Sequence, residues 1–454
     1  MYKFYYKHAK IFRMENNFDT IVAISTPIAL GAIGIIRLSG DRAFEIAGNI
    51  FSHKIHIGKI NYGHVIDNDK IIDEVILLPF KAPKSYTGED VIEFQTHGSP
   101  AILNNILQLI LSKGARHANR GEFTKRAFLN HRIDLSQAEA VIDIINSKSS
   151  KSAQNALNNL EGYLKNKIEE IKNNLVELYS KLIATIDFPE DVAELDNNYV
   201  VSICNDNITK INNILDNSKS HDFIRDGINA CLIGNPNVGK SSLFNALLNY
   251  TRAIVTPIEG TTRDTIKEAI NLNGYLINFI DTAGIRDKSK ADIVEQIGIE
   301  QSISAISTSQ IVMFLFEKSI DEIDKNLINL AKDKNIIYIQ TKADLTNNEN
   351  KGDIIITSAK TGYGIDKLKK KLTDIISTII PFDTDYTTNL RQQTCLIKAR
   401  ECLLNLINTS KIENNPDLFS YDLKQAIVAL GEITGEILTD EILDNIFSSF
   451  CIGK

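Results

Sequence analysis

The stretch GNPNVGKS, from Gly234 to Ser241, decides the fold of the central part of this chain. It follows the apolar run INACLIG (228–234) and opens the helical pattern SLFNALL (242–248). The pattern G-x-x-x-x-G-K-[ST] between a strand and a helix is typical of a phosphate-binding loop, or P-loop. Its glycines let backbone N–H groups surround phosphates at a helix N-terminus. We expect Lys240 to reach the β and γ phosphates of a nucleotide and the Ser241 hydroxyl to bind Mg²⁺.

Two later segments follow in the order that a nucleotide switch requires. GTTRD (260–264) supplies Thr262, a candidate hydroxyl for Mg²⁺ and the γ phosphate. DTAG (281–284) ends an apolar run, so Asp281 can support the Mg²⁺ shell while the N–H of Gly284 senses the γ phosphate. Loss of that phosphate would release both segments, which is an order–disorder switch.

The motif TKAD (341–344) predicts the choice of base. Asp344 can accept two hydrogen bonds from the N1–H and N2 edge of guanine, a pair that adenine lacks, so guanine is preferred. SAK (358–360) then offers the N–H of Ala359 to the guanine O6. Thr341 stands where the usual pattern has Asn, so the sequence does not show whether the supporting hydrogen bond of that Asn side chain is made here. The nucleotide contacts predicted from all these segments are Asn237, Val238, Gly239, Lys240, Ser241, Ser242, Thr256, Thr261, Thr262, Asp281, Thr282, Ala283, Gly284, Thr341, Lys342, Asp344, Ser358, Ala359 and Lys360.

The residue after DTAG is informative because many switch GTPases have a glutamine there that orients the attacking water. Ile285 has no group that can do this. Hydrolysis therefore needs another water-positioning group and a positive charge worth roughly 10³–10⁵ in rate, or about 4–7 kcal/mol. Arg263, Arg286, an arginine of a partner or a bound cation would serve. Asn237 is placed to ligate a monovalent cation, although loop capping suits an Asn there equally well.

Composition limits the classes of protein to consider. The length of 454 residues suggests two to four domains, and the net charge of −7 excludes a general polyanion binder, so a nucleic-acid contact would use a local basic patch or a partner. The five scattered cysteines indicate a reduced, cytosolic protein without disulfides or a zinc site. Residues 21–36 are uncharged but interrupted by Pro27, Gly31 and Gly34, which favours a buried strand–turn–strand over a membrane span.

The spacing of apolar residues, glycine and proline changes along the chain and predicts five parts. Residues 19–133 show an α/β pattern; residues 134–226 show helical spacing with one break at DFPEDV (187–192). Residues 227–381 alternate strands and helices, which predicts a mostly parallel sheet, and residues 382–454 are helical again. The fold class is thus α/β plus all-α, with a G domain inserted into a discontinuous helical domain. Residues 1–18 are an extension, with Met14 as a possible start and a transit peptide as the less favoured reading.

Motifs outside the P-loop region resemble one family along residues 19–454. These are GAIGIIRLSG (31–40), SYTGEDVIEFQTHG (85–98), GEFTKRAFLNHRIDLSQAEA (121–140) and the terminal CIGK (451–454). They resemble the tRNA-modification GTPase MnmE (TrmE) family. The resemblance implies a homodimer that forms a heterotetramer with the FAD-binding flavoprotein MnmG. This complex adds an aminomethyl or carboxymethylaminomethyl group to carbon 5 of the wobble uridine of certain tRNAs.

The resemblance also implies site residues. An N-terminal dimerisation domain would bind 5-formyltetrahydrofolate or a related folate, with contacts at Arg37, Glu93, Arg132 and Lys454, although Arg37 alone would suggest a surface salt bridge. Potassium would take the place of an arginine finger when two G domains meet. Its ligands would be Asn237, Thr256, Ile258 and Thr261. Glu295, in DIVEQIGIE, would orient the water, and Cys451 would serve modification but not GTP hydrolysis; an arbitrary cysteine is more often a buried structural thiol.

Other classes explain less of the sequence. A ribosome-assembly GTPase would share PNVGKSSLFNAL and GTTRD but leaves the folate-like region and CIGK unexplained. A folate-dependent one-carbon enzyme with a regulatory G domain overlaps the favoured interpretation. A membrane-remodelling GTPase would need a basic amphipathic or apolar anchor, which the sequence does not suggest.

Overall fold

The computed structural model describes residues 19–193, 195–250, 266–280, 291–345, 352–380, 385–412, 415–437 and 440–454. The chain divides into two compact units. The first runs to Ile142 and resumes from Gly431 to Lys454, and the second is Asp143–Leu430. Each unit contains a six-stranded sheet. The chain thus combines α/β and helical parts, as its texture predicted.

Both units contain strands and helices. In chain order the strands are β1 (Ile21–Ile24), β2 (Ile33–Ser39), β3 (Asn61–Asp67), β4 (Lys70–Phe80), β5 (Val91–His97), β6 (Arg116–His117), β7 (Ile228–Gly234), β8 (Ile266–Leu272), β9 (Tyr275–Ile280), β10 (Ile311–Phe316), β11 (Asn335–Gln340) and β12 (Ile355–Ile356). The helices are α1 (Ala43–Gly48), α2 (Pro100–Ser112), α3 (Glu122–Leu129), α4 (Leu135–Asn146), α5 (Ser150–Leu160), α6 (Tyr163–Asp187), α7 (Asn197–Asp226), α8 (Lys240–Tyr250), α9 (Ala291–Thr308), α10 (Lys325–Leu330), α11 (Ile365–Ile379), α12 (Leu390–Ser410), α13 (Pro416–Thr434) and α14 (Asp440–Ser448). A short 3₁₀ turn, Ile320–Glu322, follows β10.

The sheet of the first unit has the order β3-β4-β5-β2-β1-β6. β1 and β2 pair antiparallel, with Val22 opposite Leu38, which confirms the strand–turn–strand predicted for residues 21–36. In β4, Val75 and Leu77 are buried, whereas the intervening Ile76 is exposed, because successive side chains of a strand point to opposite faces. Residues of α1 and α2 join the buried strand residues in one hydrophobic cluster, so the helices cover one face of the sheet.

The sheet of the second unit has the order β12-β11-β10-β7-β9-β8. All neighbouring strands are parallel except β8 and β9, so the predicted mostly parallel sheet is confirmed. All six residues of β10 are buried, because helices cover both faces of a parallel sheet. The alternating texture did not reveal β8, and β12 is shorter than the run DIIITS suggests.

Long helices form the rest of the second unit. In α6, buried apolar residues recur three or four apart, which is the spacing of one helix face. α6 ends at Asp187 and α7 begins at Asn197 after the cap Asp196, so the break predicted at DFPEDV is confirmed. Among the helices within the described ranges, none is long and apolar enough to cross a membrane.

The two connections to the inserted α/β part lie together. α7 leads directly into β7, and the returning chain enters α12 after residues 385–389. The backbone N–H of Thr388 donates to Nδ1 of His221 in α7 at 3.0 Å, and the amide of Asn159 in α5 donates to the carbonyl of Thr387 at 2.7 Å.

The five-part division of the sequence stays a prediction, and residues 1–18 lie outside the described residues.

Candidate nucleotide site

The predicted P-loop follows the strand at which the order of the second sheet reverses. β7 has β10 on one side and β9 on the other, and ligands of open parallel sheets bind outside the carboxyl ends of strands at this point. β7 ends at Gly234, where a Cβ atom would lie 2.5 Å from the carbonyl oxygen of Leu315. Only glycine fits where β7 and β10 come this close, so the packing of these two strands fixes the point at which the loop begins.

The backbone of the loop is shaped for phosphate. Asn237 and Gly239 have φ angles of +64° and +102°, in the left-handed region that favours Gly and Asn. The ammonium group of Lys240 donates to the carbonyl of Gly234 at 2.6 Å and to that of Asn235 at 3.2 Å. Its positive charge is therefore held against the loop, at the N-terminus of α8, where anions bind.

The remaining P-loop residues differ in exposure. Val238 is 3% exposed and belongs to the hydrophobic core of the sheet. Asn237, Ser241 and Ser242 are exposed. The Val238 side chain thus anchors the loop in the core. The three polar side chains with predicted ligand roles are exposed to solvent, from which a nucleotide can reach them.

Thr341 supplies the hydrogen bond that the sequence left open. Its hydroxyl donates to the carbonyl of Val238 at 2.6 Å, and the side chain is buried, with 4% exposure. The residue at the start of TKAD therefore contacts the P-loop although it is not Asn. The motif itself gave no sign of this contact, because the two residues are 103 positions apart.

The carboxylate of Asp344 is held by the SAK segment. Ser358 donates its hydroxyl to Asp344 Oδ1 at 2.7 Å, and this bond is the largest cause that holds the pKa of Asp344 below its usual range. The backbone N–H of Ala343 donates to the carbonyl of Thr357 at 3.1 Å. The carboxylate is therefore ionised near neutral pH and fixed beside Ser358, so it can accept the two hydrogen bonds expected from guanine.

Several predicted residues cannot be placed. Their segments, 251–265 and 281–290, lie outside the described residues, so their roles stay predictions; they are Thr256, Ile258, Thr261, Thr262, Asp281, Thr282, Ala283 and Gly284. Arg263, Ile285 and Arg286 fall in the same segments. Glu295 lies on α9, but its side chain is also outside the described part. Ala359 and Lys360 follow Ser358 in the turn before α11.

The first unit brings together a second set of predicted residues around one aromatic ring. Nε of Arg37 donates to Glu93 Oε1 at 2.8 Å, and a terminal nitrogen of the same guanidinium donates to the carbonyl of Gly453 at 3.2 Å. The guanidinium carbons of Arg37 and Arg132 lie 5.0 Å and 5.3 Å from the ring centroid of Tyr86. Tyr86 was not among the predicted site residues, although it belongs to the quoted SYTGED motif.

The C-terminal tetrapeptide lies against the end of β1. Ser25 donates its hydroxyl to the carbonyl of Gly453 at 3.1 Å, and Gly453 has a φ of +95° with no room for a Cβ beside the Ile24 carbonyl. Lys454 is half-buried; burial, and then the charge of Arg37, lower the pKa of its ammonium group. The thiol of Cys451, in the same tetrapeptide, is exposed.

These features define a P-loop protein whose second loop is built to recognise a guanine nucleotide. The family model "MnmE helical domain" matches residues 135–451, and "GTP-binding protein TrmE N-terminus" matches residues 20–132. The tRNA modification GTPase MnmE of Acetivibrio thermocellus is 41% identical over 96% of this chain and 99% of that protein. The protein of the same name from Streptococcus thermophilus is 41% identical over 97% and 100%. The chain belongs to the tRNA modification GTPase MnmE family.

Similar solved structures include G domains of FeoB. That of the T. maritima FeoB iron transporter is 25% identical and covers 33% of this chain and 98% of its own, with a TM-score of 0.26. The Methanococcus jannaschii FeoB G domain is 26% identical over 33% and 98%, with a TM-score of 0.25. The similarity to the MnmE relatives, by contrast, covers nearly the whole chain. As a member of that family, the chain is a GTP hydrolase that acts in tRNA modification.

Proposed function

We propose that this chain is a potassium-activated GTPase that works with the flavoprotein MnmG. Together they would add an aminomethyl or carboxymethylaminomethyl group to carbon 5 of the wobble uridine of certain tRNAs. We base this chiefly on one observation: a chain with an ordered guanine-recognition loop, held through Thr341 and Ser358, aligns over 96% of its length with a tRNA modification GTPase.

The protein would work as a homodimer in the cytoplasm, in a heterotetramer with MnmG. Its parts would be the extension 1–18, the folate-binding and dimerisation domain 19–133, the helical domain 134–226 and 382–454, and the G domain 227–381. Exposed Cys451 supports a role for its thiol in modification. The cysteines Cys204, Cys231 and Cys395 are buried and would be structural.

The residues of the P-loop fit the two metal ions that this function requires. The exposed Ser241 hydroxyl, at the first turn of α8, would ligate Mg²⁺ together with Thr262. The exposed Asn237 carboxamide offers a carbonyl oxygen, a group that can replace water around K⁺, and Thr256, Ile258 and Thr261 would complete that site. Both cations, when bound, offset negative charge that develops on the phosphates. Glu295 would orient the attacking water.

The cluster around Tyr86 fits a folate. Two guanidinium groups beside an aromatic ring suit an anionic, flat ligand, because Arg pairs with carboxylates and stacks on π systems. Glu93 and the half-buried Lys454 add one carboxylate and one ammonium group. 5-Formyltetrahydrofolate or a related tetrahydrofolate would bring a one-carbon unit to the modification. Arg37, Glu93, Arg132 and Lys454 would bind it.

The test is nucleoside analysis of tRNA from cells that lack the gene. We expect unmodified wobble uridine in the deletion strain and restored modification with the wild-type gene. A Cys451→Ser gene should fail to restore modification, although the purified variant keeps GTPase activity. Normal wobble uridines in the deletion strain, together with accumulated ribosomal precursor particles, would instead support the ribosome-assembly GTPase.

A further inference from the structure

The loop after β10 lies beside the guanine loop, and no nucleotide motif includes it. Glu317, its first residue, accepts a 2.7 Å hydrogen bond from the ammonium group of Lys342. Lys342 is the second residue of TKAD and has a φ of +56°, in the left-handed region that a Lys rarely adopts. Such a backbone conformation persists only where the surroundings hold it, and the ion pair with Glu317 is a contact that does so.

The loop that carries Glu317 is itself rigid. The carboxylate of Glu322 accepts hydrogen bonds from the backbone N–H groups of Glu317, Lys318 and Ser319 at 3.1, 2.9 and 3.0 Å. These bonds to the charged form lower the pKa of Glu322. Gln340, at the end of β11, donates its amide to the carbonyl of Glu317 at 3.1 Å. The backbone of Glu317 is therefore held in place, and with it the point from which the side chain reaches Lys342.

Each residue of TKAD is held from a different side. Thr341 is bound to the P-loop, Ala343 to the end of β12, and Asp344 to the SAK segment. Lys342 is held by the β10 loop through Glu317. A loop that is ordered before it binds loses less conformational entropy on binding, so each of these contacts favours nucleotide affinity.

We propose that Glu317 is a positioning residue for guanine-nucleotide binding, acting through Lys342. This inference rests on the function proposed for the site. Glu317 lies at the base-recognition loop rather than at the phosphates, so its loss weakens GDP and GTP binding equally. The turnover number kcat stays unchanged, because the groups at the γ phosphate are untouched.

The experiment compares the full-length wild type with Glu317→Gln, Lys342→Gln and the double variant, by titration with fluorescent GDP and a non-hydrolysable GTP analogue. Glu317 and Lys342 are each about one-third exposed, so we expect about two- to five-fold weaker binding of both nucleotides in Glu317→Gln. KM rises by the same factor and kcat does not change. Asp333→Asn, an exposed charge removal in the same unit, is the matched control and should bind like the wild type.

The double variant separates positioning from general damage. If Glu317 acts through Lys342, adding Glu317→Gln to Lys342→Gln causes no further loss of affinity. Full additivity in the double variant, or wild-type affinity in Glu317→Gln, would overturn the inference. If the wild type itself failed to bind GDP, the proposed guanine site would be wrong as well. Glu317→Asp, which keeps the carboxylate, should recover part of the affinity.

Discussion

The hydroxyl of Thr341 and the carbonyl of Val238 are joined by a buried 2.6 Å hydrogen bond. Thr341 begins the guanine loop and Val238 belongs to the P-loop, so one side chain connects the two halves of the nucleotide site. The same hydroxyl lies 3.3 Å from the carbonyl of Phe316 at the end of β10. Nucleotide affinity and the order of the P-loop should therefore depend together on this one residue.

Replacement of Thr341 by Val tests that connection. Val has nearly the shape of Thr but cannot donate, so the buried Val238 carbonyl would lose its partner. A lost neutral hydrogen bond costs about 1 kcal/mol, which is about five-fold in affinity. We expect weaker binding of GDP and GTP in titrations with fluorescent nucleotides. Thr341→Ser keeps the hydroxyl and should stay within about two-fold of the wild type. Equal affinities of the Val and Ser variants would show that the bond is not needed.

Replacement of Asp344 by Asn should change the preferred base. Asn keeps one acceptor oxygen but presents an amide donor in place of the second, so guanine loses one of its two hydrogen bonds and its amino group faces another donor. Xanthine has a carbonyl oxygen in place of the guanine amino group and can accept from that amide. We expect at least about a 100-fold loss of GDP affinity and a gain in XDP affinity, measured by competition. Unchanged selectivity would mean that Asp344 does not contact the base.

Local sequence was enough to predict the P-loop, because strand, glycines, Lys240 and helix follow one another within about twenty residues. The contact between Thr341 and Val238 was not predictable in this way. It depends on the parallel register of β7, β10 and β11, which brings the ends of three distant strands to one edge. The left-handed backbone of Lys342 and its partner Glu317 likewise follow from packing rather than from a motif.

The residues that surround Tyr86 in the first unit were even less predictable from local sequence. Arg37 contacts the carbonyl of Gly453, 416 residues away, and no periodicity links these positions. Only resemblance to a family suggested that Arg37, Arg132 and Lys454 belong together. Long helices such as α6 were predictable, because their apolar spacing is repeated over many turns.

His221 should make the stability of the second unit depend on pH. Its Nδ1 accepts from the backbone N–H of Thr388, so the ring must be neutral there, and burial followed by the charge of Arg225 lowers the pKa of His221 to about 4. The unfolded state binds a proton near pH 6.5, before the folded state does, so stability is complete above pH 6.5 and falls between pH 6.5 and 4. The full effect is about 3 kcal/mol.

Acid unfolding followed by circular dichroism checks this dependence. His221→Asn keeps an acceptor for the Thr388 N–H but cannot titrate, so its free energy of unfolding should vary less between pH 7 and 5 than that of the wild type. His221→Leu removes the acceptor and should be less stable at pH 7 as well. Identical pH profiles for wild type and His221→Asn would show that another group controls the acid transition.

Asn237→Gly tests the potassium site without disturbing the backbone. Asn237 has a φ of +64°, which glycine adopts without strain, so the variant removes only the exposed carboxamide. If that oxygen ligates K⁺, the wild type hydrolyses GTP faster in KCl than in NaCl. The GTPase rate of the variant in KCl should fall roughly 10-fold or more, while its rate in NaCl stays the same, because the lost carboxamide is one ligand of the cation that replaces an arginine finger. Asn237→Ala should show the same loss of potassium response with added backbone strain. Potassium stimulation that survives in Asn237→Gly would assign the cation to other residues and leave Asn237 the loop-capping role that its left-handed backbone also explains.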